Sequence, residues 1–298
     1  MHPPEQPRNN PAVLTGVFAA IVLSVLGLAL VSRVEPSDKV TGRAVAVPGG
    51  LPAPATAEPQ RPRAVHRLAD HPLLLDAGTL PPVRCALPEF GPSDAELTAY
   101  YRAGVACLDL AWQPLLAKGN LPFDPPGLDA SATLGASPCG EAPSPDEAVA
   151  FYCGRNRTIY MPTSRLRDNG GGERPSSHLA TLAHEYGHHV QALSGMLRAA
   201  DGKITDAGEK SPAGLEMSRR IELQANCFAG LFLAAATDSL GWDLASQAAD
   251  DFQYAVEEPP ERNGHGNPVN QARWASNGFD GGTTASCNTY AASAEDVA

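Results

Sequence analysis

Runs of positive charge are missing from this chain: no stretch of lysine and arginine is longer than a pair, and the formal net charge is −11 over 298 residues. Nucleic-acid binding through counterion release needs a basic patch or stripe, so that class of partner is excluded. The acidity describes a soluble, self-repelling surface instead. The chain also lacks a C-x-x-C pair and any repeat of fixed period. Cysteine-held metal sites therefore have no signature here, and neither do repeat architectures.

A basic leader is lacking too, and this matters for the one long apolar run. Ala12 to Ser32 reads AVLTGVFAAIVLSVLGLALVS without a charge, long enough to cross a hydrocarbon core of about 30 Å. A cleaved signal has a shorter apolar centre, basic residues before it and a small-residue exit; here only Arg8 precedes the run and Ser32-Arg33-Val34-Glu35 follows it. A retained transmembrane anchor at 12–32 in the lipid bilayer is expected, behind a short cytoplasmic tail at 1–11. Basic residues on both flanks leave its orientation open. The cysteines decide it, since all six lie after the anchor and an even count without tight pairs suits disulfides in an oxidising space. The expected location is the cell membrane, single-pass, with the C-terminal domain extracytoplasmic. The alternative is six buried free thiols in a cytoplasmic domain.

Residues 33–72 carry LPAPATAEPQRPR and few large apolar side chains, too little to offset the entropy of ordering, and are expected to form a flexible linker. Proline and glycine, 28 each, cluster before the middle of the chain and near its end, so much of the domain at 73–298 should be loop. Its first strong helix should open at Ser93, where Ser93 and Glu96 match the S-x-x-E capping box, and stop at Gly119. Pro122 to Pro145 reads as loop. Ala148–Cys153 and Thr158–Met161 read as a hairpin around Gly154-Arg155-Asn156. A second helix, capped by Ser176 or Ser177, should run to Ser194 and stop at Gly195. A third should begin after Ser211 with Pro212 in its first turn and reach about Ser239. Further helices are expected over Leu244–Glu257 and Pro268–Gly278.

The second of these helices carries His184-Glu185-Tyr186-Gly187-His188. On an α-helix the two histidines lie about 40° apart, one turn along the axis, so both imidazoles can reach one metal. Glu185 projects about 60° from His188, placed to act on a water held there rather than as a third ligand. Leu179, Leu182, Tyr186, Val190 and Leu193 recur on the opposite face and should point to the core. His189, about 140° from His184, should not share the metal; it is expected beside Glu185 or in solvent.

A catalytic zinc takes three protein ligands and keeps one position open. Glu222 is the best candidate for the third, because it lies off the apolar face of Met217, Ile221, Phe228, Leu231 and Phe232. The plain alternative is a surface glutamate paired with Arg219. Two residues are candidates for stabilising a developing oxyanion: His265, in a glycine-flanked loop, and Tyr160, on the second strand of the hairpin.

HEYGHHVQ, ELQANCFAG, GHGNPVNQARW and the downstream CNTY together resemble the bacterial neutral zinc metallopeptidase family of YpfJ-like proteins, from about Leu73 to Tyr290. The resemblance implies a helix-rich, zincin-like α+β domain with a small β-hairpin or sheet. It implies Glu222 as third ligand of one zinc ion, beside His184 and His188. It further implies metal-assisted hydrolysis of a peptide or protein substrate with Glu185 as base, endopeptidase rather than exopeptidase. The family usually has aspartate four residues after the ligand glutamate, and here stands Asn226. An amide can still orient a ligand histidine but brings no charge. A competing class is therefore a zinc-holding scaffold or binding protein of weak or no turnover; a third is a domain without metal. Six cysteines allow fifteen connectivities. Chain proximity and the family pattern favour Cys85 with Cys107, Cys139 with Cys153, and Cys227 with Cys287.

Overall fold

The computed structural model describes residues 65, 67–75, 78–133, 135–141, 143, 148–168, 171–254, 259 and 261–298. The expected anchor at 12–32, the tail at 1–11 and most of the linker lie outside the described residues. Among the described residues no helix is long and apolar enough to cross a membrane. Folded packing starts before the expected boundary at Leu73. A 3-10 turn at Leu68–Asp70 leads into helix α1, Pro72–Leu75, and Leu68, Leu73 and Leu74 are buried. The linker therefore ends no later than Leu68. The residues that follow are held by long-range contacts that composition does not reveal, such as His71 Nε2 donating to the Ser194 carbonyl at 3.2 Å.

Helix α2, Asp94–Lys118, opens on Ser93 with both halves of the capping box formed and ends at Gly119. After it comes strand β1, Gly127–Asp129, then β2, Phe151–Cys153, and β3, Thr158–Tyr160. β2 and β3 are the expected hairpin, antiparallel with Phe151 opposite Tyr160. The expected loop at Pro122–Pro145 is corrected by β1, which pairs in parallel with β3 and gives the sheet order β1-β3-β2. Three residues, Gly-Leu-Asp, have no alternation to read, and only the neighbouring strand makes them one.

A short helix α3, Thr163–Asp168, precedes the motif helix α4, Pro175–Ser194. Neither Ser176 nor Ser177 caps α4. The N-cap is Arg174 and Pro175 takes the first turn, where a missing N–H costs nothing. Ser177 Oγ donates to Asp251 at 2.8 Å, placing a carboxylate at the positive end of the helix dipole. Gly195, at φ 84°, ends α4 and starts α5, Met196–Ala207, a helix absent from the sequence reading. Helix α6, Pro212–Leu240, opens on Ser211, whose side chain accepts from Gly214 N–H. Helix α7, Trp242–Asp250, begins ahead of the expected Leu244 and passes into a 3-10 turn at Asp251–Tyr254; Asp251, bound to the start of α4 by Arg174 and Ser177, leaves the α-helical path there. Helix α8 is Pro268–Phe279.

The motif helix α4 is packed between α2 and α6. Leu179, Leu182, Tyr186, Val190 and Leu193 are at most 1% exposed, and Tyr186 Oη donates to Asp109 at 2.7 Å on α2. Across the core, Trp112 of α2 meets Phe228 of α6 edge to face at 5.1 Å. The cysteines pair as Cys85–Cys107, Cys139–Cys153 and Cys227–Cys287, with none free. Such cross-links act mainly by restricting the unfolded chain.

His189 does not stand in solvent, which corrects one of the two expectations; it follows Glu185 by one turn of α4. It is fully buried, donates from Nε2 to the Asp124 carbonyl at 2.7 Å and accepts at Nδ1 from Tyr152 Oη at 3.0 Å. It thereby ties the motif helix to the chain before β1 and to β2. His178 is held similarly, between the Gly172 carbonyl and Tyr101 Oη. Burial holds His71 and His178 below the usual histidine pKa and lowers His189 to about 4. The unfolded chain therefore takes up protons that the fold refuses between the ordinary value of 6.5 and about 4. Stability present above that window is lost as pH falls through it. Urea midpoints should decline less steeply over this range in His189→Gln than in the unsubstituted chain, His189's share being on the order of 3 kcal/mol. Equal slopes in the two proteins would assign the acid lability to other groups.

Candidate metal centre

The site forms where α4 and α6 touch most closely. A Cβ added at Gly187 would stand 2.9 Å from Ala225 Cα and 3.0 Å from its carbonyl oxygen, so a larger residue would drive the helices apart. The third residue after His184 is glycine for that reason. Three positions before Ala225, Glu222 is brought up to the histidine pair.

His184 Nε2 and His188 Nε2 are 3.1 Å apart, and Glu222 Oε2 lies 3.1 Å from the first and 3.4 Å from the second. Zinc bonds of about 2.0–2.1 Å in tetrahedral geometry set ligand atoms about 3.3–3.4 Å from one another. The donor set, two imidazole nitrogens and one carboxylate oxygen, is also one that zinc takes. The residues fit a zinc ion on both counts, and among the described residues no fourth histidine, cysteine or carboxylate joins the cluster.

The outer nitrogens of both histidines are committed elsewhere. His184 Nδ1 donates to Asn226 Oδ1 at 2.6 Å and His188 Nδ1 to Gln191 Oε1 at 2.9 Å, which leaves each Nε2 as the bare, metal-facing atom. Gln191 Nε2 in turn donates to the Ile221 carbonyl at 2.8 Å and to Gln224 Oε1 at 3.0 Å. Gln224 Nε2 reaches the carbonyl of Cys287 at 3.1 Å. Asn226 was expected in this shell. Gln191 was overlooked, although its place three residues after His188 on a helix was a readable signal.

Charge is concentrated in this small volume. Burial raises the Glu185 carboxyl, against the pull of His184 and His188. Burial alone would raise Glu222 too, but His188 and His184 hold it well below the usual carboxylate range. For His188 burial works downward and is outweighed by Glu222 and Glu185, which push it up to about 9. The carboxylates thus favour a proton on His188, and a divalent ion held by the three side chains would displace it.

Glu185 and His265 line a cavity of about 310 Å³ together with the three ligand residues. His265 sits in a loop whose Gly266 has φ 88° and whose Asn263 carbonyl accepts from Arg219 Nη1 at 2.9 Å. Arg219 also donates to the Val297 carbonyl at 2.7 Å, so it fixes the His265 loop and the C-terminus rather than pairing with Glu222. Tyr160 does not line the cavity. Its ring stacks on Phe151 at 4.6 Å and its hydroxyl accepts from Asn156 Nδ2 at 2.9 Å; cross-strand pairing places it behind Phe151, which does line the cleft.

A helix-borne His-Glu-x-x-His pair completed by a glutamate from a second helix is the ligand arrangement of a zinc metallopeptidase centre. The sequence profile of the family described as "Putative neutral zinc metallopeptidase" matches residues 86–290, and the chain belongs to that family. YpfJ of Escherichia coli K12 is 28% identical over 217 residues, covering 67% of this chain and 73% of YpfJ. Mb2605 of Mycobacterium bovis and Rv2575 of Mycobacterium tuberculosis are 28% identical over 211 residues, 62% of this chain and 68% of theirs. No solved structure matches it.

Removing ligand and supporting groups should separate their roles. Glu222→Ala is expected to lose zinc, read as metal content of the purified protein. Gln191→Leu should bind zinc about 10–100-fold more weakly in a chelator competition, while Asn226→Asp should bind it more tightly. Full zinc content in Glu222→Ala would remove it from the ligand set.

Proposed function

We propose that this protein hydrolyses peptide bonds with one zinc ion held by His184, His188 and Glu222. The observation that carries the proposal is the ligand triangle sharing one cavity with Glu185. Bound there, zinc supplies Lewis acidity and makes water a nucleophile near neutral pH. Glu185, in the cavity it shares with the triangle, would serve as the base that accepts a proton there. Burial raises its carboxyl, which suits a group that accepts a proton and then returns it to the leaving amine. His265 stands where a second donor could face the scissile carbonyl.

The sheet order leaves β2 at the edge, and Ala150, Phe151 and Tyr152 line the cleft. An extended peptide can add to that edge as a further strand, which suits a chain passing through and hence an endopeptidase. The anchored, extracytoplasmic placement belongs to the same proposal and is supported by the three disulfides.

A second function is favoured by Asn226, whose neutral amide supports His184: a zinc-holding scaffold that binds peptide with little turnover. Zinc-loaded protein assayed on denatured proteins and a peptide library distinguishes the two. Glu185→Gln should keep its zinc and lose at least a thousandfold in kcat/KM, on the order of 4 kcal/mol of transition-state stabilisation. Equal turnover by Glu185→Gln removes it as the base; absent turnover in the unsubstituted protein leaves the scaffold.

A further inference from the structure

Helix α5 contributes to the lining of the cleft that the edge strand β2 also lines. Leu197, Asp201 and Ile204 of this helix all line the cavity that holds the ligand cluster. Their spacing of four and three residues puts them on one helix face. Leu197 and Ile204 are partly buried, and Asp201 stands exposed between them. Ala148 and Ala150, just ahead of β2, add small side chains to the same lining. The face that α5 turns to the cavity is thus an apolar strip with a carboxylate at its middle.

No lysine or arginine lines this cleft among the described residues. Its anionic groups are Glu185, Glu222 and Asp201, and its histidines are His184, His188 and His265. A divalent ion at the ligand triangle offsets Glu185 and Glu222. Asp201 is not one of the triangle's residues, and among the described residues no lysine or arginine lines the cleft beside it. Partial desolvation by the cleft walls raises the carboxyl of Asp201, exposed as it is, with His188 the one charge drawing it back. Asp201 lines the same cavity as His188 and Glu222, so the carboxylate belongs to the cleft that holds the cluster.

We propose that Asp201 makes the cleft select peptides with a lysine or arginine beside the scissile bond. Resting on the peptide-hydrolysis reading, the proposal names its substrate class. Leu197 and Ile204 supply apolar surface for the methylene stem of such a side chain, and Asp201 receives its charged end, as amphipathic side chains are usually accommodated. Because Asp201 is solvent-exposed, screening keeps the selection to about tenfold rather than several orders of magnitude.

The test uses the zinc-loaded full chain and peptides in which each position near the cleavage point carries lysine, arginine, norleucine or glutamate in turn. The expected result is a kcat/KM ratio of lysine to norleucine of about ten at one position. That ratio should fall towards one in Asp201→Asn and turn to a preference for glutamate in Asp201→Lys. Binding of the same peptides to zinc-loaded Glu185→Gln, followed by fluorescence anisotropy, reads the selection without turnover. If the unsubstituted protein cleaves nothing while Glu185→Gln binds with the basic preference, the hydrolysis reading fails and the Asp201 assignment stands. No basic preference in binding, or one that survives in Asp201→Asn, overturns the assignment.

Discussion

The centre depends on how closely two helices approach. Gly187 lies against the backbone of Ala225, and from that contact follow the 3.1 and 3.4 Å separations between Glu222 and the two histidines. Gathering a buried carboxylate and two imidazoles is unfavourable by itself, since desolvation opposes it. The surrounding core holds them there. On its other side α4 is fixed by α2, where Gly104 lies under Leu182 and Asp109 accepts from Tyr186. Helix α6 is fixed in turn by α8: a Cβ at Gly230 would overlap the Ala275 carbonyl. The ligand geometry is thus set by packing on faces that carry no ligand.

Five of the described histidines divide into two populations. His71, His178 and His189 are each buried and neutral, with Nε2 donating to a carbonyl and Nδ1 accepting, and they serve as joints between elements. His184 and His188 reverse this use, giving Nδ1 to side-chain amides and turning Nε2 to the cleft. Both amides are uncharged, so the metal ligands are oriented without the extra basicity that a carboxylate would confer. The C-terminal tract completes the support. Cys227–Cys287 fastens it to α6, Arg220 donates to the carbonyls of Thr289 and Ala292, and Gln224 carries the link to Gln191.

Helices with strong local punctuation were readable in advance: α2 from its capping box, α6 from Ser211-Pro212, and α8 close to its observed limits. The hairpin was readable because its turn is local. Strand β1 was not, since its pairing is parallel and non-local. Helix α5 escaped because one glycine both ends α4 and begins it, and with it went Asp201. Tyr160 pointed into the cleft only as long as its stacking on Phe151 was unknown.

Sequence by itself determined that His184 and His188 can face one ion, because residues one helical turn apart share a face whatever surrounds them. It also located the elements whose ends are written in capping residues. Tertiary structure alone decided how near Glu222 comes, what orients each imidazole, whether His189 serves the metal or the core, and which side chains face Glu185 across the cleft. Those are distances between segments far apart in the chain, and they are fixed by packing that no local pattern encodes.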